Sequence, residues 1–159
     1  MKTSVFWSAF VTFASFNMCL GQASAPATKE LSEHDKLRIA VQDICPVSGL
    51  KLGKHGNPIK VRIGKQKEEV FLCCKGCAKR KINPQHWATI HGNFARAQGI
   101  CPVMKHPLPK KPKWTFVNGQ IVYVCCAPCT KKIAKDPQGT LAQLDKLYLA
   151  SLQTKKKKR

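Results

Sequence analysis

One pattern occurs twice in the chain, and it constrains the fold more than any other feature. Ile44-Cys45-Pro46-Val47 returns as Ile100-Cys101-Pro102-Val103. Val70-Phe71-Leu72-Cys73-Cys74-Lys75-Gly76-Cys77 returns as Val122-Tyr123-Val124-Cys125-Cys126-Ala127-Pro128-Cys129. The copies are offset by 56 residues at the first cysteine and by 52 at the cluster, so four residues are gained or lost in the intervening loop. Such a change costs little there. A basic stretch and a proline follow each cluster, Lys79 to Pro84 in one copy and Lys131 to Pro137 in the other. Cysteines, apolar residues and punctuation that recur together mark an internal duplication. Divided this way, 159 residues make two very small modules rather than one long core, and a large α/β enzyme is excluded. Modules of that size need cross-links, and nine cysteines can supply them through disulfides or metal.

Each copy contains a β-hairpin. Ile59, Val61 and Ile63 alternate with Lys60 and Arg62, and Gly64-Lys65-Gln66 turns the chain into Glu69-Val70-Phe71-Leu72. In the second copy Asn118-Gly119, a strong hairpin signal, joins Trp114-Thr115-Phe116-Val117 to Gln120-Ile121-Val122-Tyr123-Val124. Three amphipathic helices flank and join the hairpins. Ser32 followed by Asp35 starts one that carries Leu37, Val41 and Ile44 on one face. Asn83 and Pro84 start a second, bearing Trp87, Ile90, Phe94 and Ala97 and ending near Gly99. Asp136-Pro137 opens a third, with Leu141, Leu144 and Tyr148. These stripes form core against the hairpins. The expected fold is α+β, with two tandem repeats of knuckle, hairpin and short helix. Residues 44–84 and 100–137 are the repeats, 24–43 the N-terminal segment, 85–99 the linking helix, and 138–159 the C-terminal helix with its basic tail.

The N-terminus reads as an address. Residues 3–28 carry no charge, and Val5 to Phe16 is an apolar run too short to span a bilayer. Small residues at Gly21, Ala23 and Ala25 complete a signal peptide, residues 1–23, cleaved near Ala23. The expected location is periplasmic or extracellular. The mature chain then keeps 136 residues, eight cysteines and a charge of +19.

Those eight thiols fall into two sets of four. A hairpin brings the cysteine at its entry to the cluster at its exit. Cysteines four apart share a face if the chain turns helical there. Adjacent cysteines diverge in regular structure, so four thiols can reach one ion only if the cluster is bent. Cys45, Cys73 and Cys77 are therefore the expected first set, and Cys101, Cys125 and Cys129 the second. Cys74 and Cys126 serve as fourth ligands or satellites. Lys75, Lys79, Arg80 and Lys81, with Lys131, Lys132 and Lys135, either favour the thiolate forms or make a solvated basic face.

C-P-V, a hairpin, and a strand that ends in C-x-x-x-C resemble the TRASH/YHS group of small treble-clef-like metal-binding domains. The resemblance covers residues 44–84 and 100–137. It implies binding of Cu(I) or Zn²⁺, about one ion per repeat, in heavy-metal trafficking, resistance or sensing. The family's knuckle often has a second cysteine where Ser48 and Met104 stand here. Met104 offers a thioether suited to Cu(I), or packs in the core.

Two other readings use the same cysteines. An exported chain with eight of them is a setting for a disulfide-stabilised scaffold. Cys74-Lys75-Gly76-Cys77 and Cys126-Ala127-Pro128-Cys129 are C-x-x-C motifs of the kind used in thiol–disulfide exchange, although no βαβ pattern surrounds them. His86 and His91 lie five apart and cannot share a metal face, while His55 and His106 sit in loops as bystanders or auxiliary ligands. With 8 acidic residues and no catalytic carboxylate pair, phosphate loop or nucleophile elbow, no enzyme is expected. The formal charge of +20 and the tail from Lys155 to Arg159 suit an acidic protein partner or an anionic envelope surface. Export argues against nucleic acid.

Overall fold

The computed structural model describes residues 31–157, and the signal-peptide reading and Cys19 lie outside them. Among the described residues the elements are α1 (Glu33–Gln42), β1 (Ile59–Ile63), β2 (Glu68–Leu72), a short 3-10 helix (Lys75–Lys79), α2 (Pro84–Gln98), β3 (Lys113–Val117), β4 (Gln120–Val124), α3 (Ala127–Lys135) and α4 (Pro137–Lys157). The fold is α+β, with each pair of strands forming its own antiparallel hairpin. Ser32 Oγ accepts the Asp35 amide at the start of α1, and Asn83 Oδ1 accepts the Gln85 amide before Pro84 at the start of α2. Lys155 to Lys157 continue α4 as its last turn, where cations interact favourably with the negative end of the helix dipole.

The two hairpins differ in their turns. Asn118 and Gly119 have φ of 50° and 79°, giving a two-residue connection between Val117 and Gln120. The first hairpin pairs Ile63 with Glu68 across a longer turn, 64–67. The length difference between the copies is therefore shared. Two of its residues lie in this turn, and two lie between the knuckle and the first strand, where 53–58 corresponds to 109–112. A single loop was the sequence expectation, but a hairpin turn absorbs two residues without disturbing the register of either ladder.

Helices α1, α2 and α4 pack on one another and cover the hairpins. Ile90, Phe94, Leu144 and Tyr148 meet Ile121, Val122 and Val124 in the larger core. A smaller cluster lies under the first hairpin and comprises Cys45, Leu52, Phe71, Leu72, Cys73 and Cys77. Arg38 is also buried, at 2% exposure. Its Nη1 pairs with Glu69 Oε2 at 3.2 Å, its Nη2 donates to the Glu69 carbonyl at 2.8 Å, and its guanidinium lies over Phe71 and Phe94. The ion pair and the two ring faces offset the cost of removing the charge from water. The hairpins meet where the Glu69 amide donates to the Gly119 carbonyl at 2.7 Å.

Each repeat begins one turn earlier than its cysteine motif. Gln42 and Gln98 end α1 and α2, and both side chains are buried. Gln42 Nε2 donates to the carbonyls of Ile44 and Phe71, and its Oε1 accepts the Phe71 amide. Gln98 makes the same three bonds with Ile100 and Tyr123. Each glutamine thus clamps a helix end to the penultimate residue of the hairpin strand that leads into the cysteine cluster.

Candidate metal centre

Two backbone devices assemble each thiol set. The first is the knuckle. The Cys45 amide donates to the Leu50 carbonyl, and the Gly49 amide to the Cys45 carbonyl, at 2.8 and 2.9 Å. Cys101 repeats this with His106 and Lys105 at the same two distances. One-residue bridges, Ile44 with Lys51 and Ile100 with Pro107, close the two loops. The second device is the junction between the last strand and the helix that follows. Cys74 and Cys126 hold extended backbone (φ −162° and −152°) directly before their helices. The cluster is therefore bent, and adjacent sulfurs converge instead of diverging.

The sulfur positions follow from this bend. Sγ of Cys45, Cys73 and Cys77 all lie within 4.8 Å of one another, as do those of Cys101, Cys125 and Cys129. In the first set Cys73–Cys77 is 3.6 Å, Cys73–Cys74 3.9 Å and Cys74–Cys77 3.8 Å. In the second, Cys125–Cys129 is 3.8 Å, Cys125–Cys126 3.8 Å and Cys126–Cys129 3.3 Å. Four sulfurs at about 2.3 Å from one ion stand about 3.8 Å apart, and three in a plane around it about 4 Å. These separations fit thiolate coordination, and they are far from a disulfide bond of about 2.05 Å. All eight described cysteines are free thiols.

The protonation balance is uneven within each set. Burial raises the Cys45 thiol, but hydrogen bonds from the Ser48 hydroxyl and from the Ser48, Cys73 and Val47 amides outweigh it, bringing the group to about 7. Burial likewise opposes ionisation of Cys101, and the amides of Met104, Cys125 and Val103 reverse the balance downward. Burial and the neighbouring thiols push Cys77 and Cys129 up to about 12. Exposed Cys74 is lowered by the Cys77 amide and thiol, and exposed Cys126 by the thiol and amide of Cys129. Each cluster thus holds one buried thiol disposed to ionise beside another that burial and the neighbouring thiols hold protonated, and a bound cation would favour the ionised form of both. The flanking lysines and Arg80 all face solvent.

The remaining candidates are placed as follows. Ser48 Oγ lies 3.4 Å from Cys73 Sγ, so its hydroxyl lies at the first site. Met104 occupies the matching place in the second knuckle, and its side chain is 41% exposed. It packs in no core, which corrects that reading, because its amide is turned to Cys101 and its side chain to the surface. His55 and His106 are exposed and belong to neither triad. His91 turns away from the cysteines, with Nδ1 3.0 Å from the Tyr123 hydroxyl and Nε2 3.5 Å from Glu68 Oε1. Sequence reasoning missed Ser48 as a hydrogen-bonding neighbour of the thiols, and it missed the two glutamine clamps. The glutamines had a signal, since both stand two residues before the I-C-P-V motif.

Comparison with protein-family models, curated proteins and solved structures finds no match.

Proposed function

We propose that the chain is an exported protein that binds a soft or borderline transition metal, Cu(I) or Zn²⁺, at two tandem thiolate sites. Each site takes about one ion. The single observation that carries this reading is the recurrence, in two separately built modules, of sulfurs spaced like the ligands of one ion. Cys45, Cys73 and Cys77 hold the first ion with Cys74 beside them. Cys101, Cys125 and Cys129 hold the second with Cys126 beside them. Bound metal would draw the remaining protons off these thiols and supply the cation that their mutual repulsion requires. The resemblance to TRASH/YHS domains supports the same reading and adds metal trafficking, resistance or sensing as its setting. We read the chain as a binder rather than an enzyme. Its basic surface suits an acidic partner or an anionic envelope.

Metal content and free-thiol count, measured together on protein purified without air or chelator, test this. About two ions per chain are expected, with thiols that react only after the metal is stripped. Metal-free protein that takes up no Zn²⁺ or Cu(I) on anaerobic reconstitution would reject the proposal. If its thiols were also unreactive, the disulfide scaffold would replace it.

A further inference from the structure

The two sites share one ligand pattern but differ in what surrounds it. Cys45, Cys73 and Cys77 are all buried, at 0%, 6% and 5% exposure. They make up half of the six buried residues in their own apolar cluster. The 3-10 helix after the first cluster has Cys77 as its one buried residue. Nothing apolar anchors that turn besides the thiol itself.

In the second repeat the thiols are a minor part of a large core. Cys101 and Cys129 are two of its fourteen buried residues. Helix α3 buries Ile133 as well as Cys129, so it stays anchored whether or not its thiol is ligated. Val103 and Leu108 of the second knuckle pack on this core, as Val47 and Leu52 pack on the smaller one. The site is also more open. Cys125 is half-buried where its counterpart Cys73 is buried, Cys126 and Cys74 are both exposed, and Met104 stands where Ser48 reaches Cys73 in the first site.

From this contrast, and resting on the metal reading above, we infer a division of labour between the repeats. The first site holds its ion as a structural staple, and the second site exchanges its ion with the surroundings. An apolar cluster half composed of thiols depends on the ion that neutralises and joins them. A site set into a core of aliphatic and aromatic side chains does not. Ligand exchange also needs an accessible thiol for the incoming acceptor to displace, and the second site presents two, Cys125 and Cys126, against Cys74 alone in the first.

The test uses the purified chain loaded anaerobically with Zn²⁺ and challenged with a chromophoric chelator, with samples quenched by iodoacetamide. Zinc is expected to leave in two phases of one ion each, the first faster by about tenfold or more. At the end of the first phase, peptide mass mapping should find alkylation at Cys125, Cys126 and Cys129 while Cys73 and Cys77 stay protected. Circular dichroism should hold through the first phase and fall with the second. Cys129→Ser should remove the fast phase and leave the slow one. Two ions released in one phase, or alkylation reaching Cys73 and Cys77 first, would overturn the division of labour while leaving the metal reading intact. A chain that binds no zinc or Cu(I) would overturn both.

Discussion

Gln98 and Tyr123 exchange two hydrogen bonds, side-chain Nε2 to the Tyr123 carbonyl at 2.6 Å and the Tyr123 amide to Oε1 at 2.9 Å. Gln42 and Phe71 do the same at 2.7 and 2.9 Å. An amide side chain here completes a strand's backbone bonding from the end of a helix, so the helix and the cysteine cluster are held in fixed relation. Gln98→Leu keeps the apolar bulk but leaves a buried N–H and C=O without partners. It should lower stability by about 2–4 kcal/mol, measured by urea unfolding of the metal-loaded chain, and Gln42→Leu should do likewise. A loss below about 1 kcal/mol for both would mean that water or a neighbour replaces the side chain.

Neither glutamine was singled out in the sequence, for a physical reason. A polar residue at the end of an amphipathic helix ordinarily faces water, and only the partner strand's unpaired backbone makes it a core residue here. Arg38 escaped for the same reason, since its burial depends on Glu69 and on two rings distant in sequence. What depends on local pattern was legible. The Asn118-Gly119 turn, the Asn83-Pro84 helix start and the apolar stripes of α2 and α4 form as their spacing predicts. The bend at Cys73-Cys74 was not legible. It needs a strand to end and a helix to begin within two residues, and that boundary is set by packing.

The residue after each glutamine turns the chain sharply. Asp43 and Gly99 have φ of 68° and 63°, and the amides of Ile44 and Ile100 reach back two residues to the glutamine carbonyls. Such a γ-turn strains any residue with a Cβ. The Asp43–Lys51 ion pair is exposed and offsets little of this. Asp43→Gly should therefore stabilise the protein by about 0.5–1 kcal/mol, and Gly99→Ala should destabilise it by about 1 kcal/mol. A Cβ at Gly99 meets nothing closer than 3.7 Å, so the second value isolates the torsional cost. Thermal melts of the two variants should move in opposite directions; a shared direction would refute the strain argument.

Gly119 faces a harder limit. A Cβ there would lie 2.8 Å from the Lys67 carbonyl oxygen and 2.9 Å from Glu69 Cγ, at the point where the hairpins bond through the Glu69 amide. Gly119→Ala adds this clash to the left-handed backbone cost and should destabilise by about 2–4 kcal/mol, clearly more than Gly99→Ala. Equal losses for the two variants in parallel urea titrations would show that the hairpins separate at no cost.

Glu68 gives the fold a pH dependence that does not come from its thiols. Its side chain is 8% exposed and points toward His91, with Oε1 3.5 Å from Nε2. Burial raises its pKa from 4.5 to about 7, and Arg38 opposes the shift only in part. A carboxyl whose folded pKa exceeds its unfolded value binds its proton more tightly in the fold. Its contribution is complete below about 4.5 and is lost as pH rises through about 7. Burial lowers the His91 pKa, so that residue acts in the opposite sense: its contribution is complete above the unfolded value of 6.5 and is lost as pH falls from there through its lowered folded value. The core therefore favours both groups neutral. Glu68→Gln keeps the shape and removes the charge, so it should gain about 1–3 kcal/mol over the parent at pH 8 and much less at pH 5.5. Urea midpoints of the two proteins at each pH measure the difference, and subtraction cancels the thiol titrations common to both. A gap that does not change with pH would show that Glu68 keeps its charge in the fold.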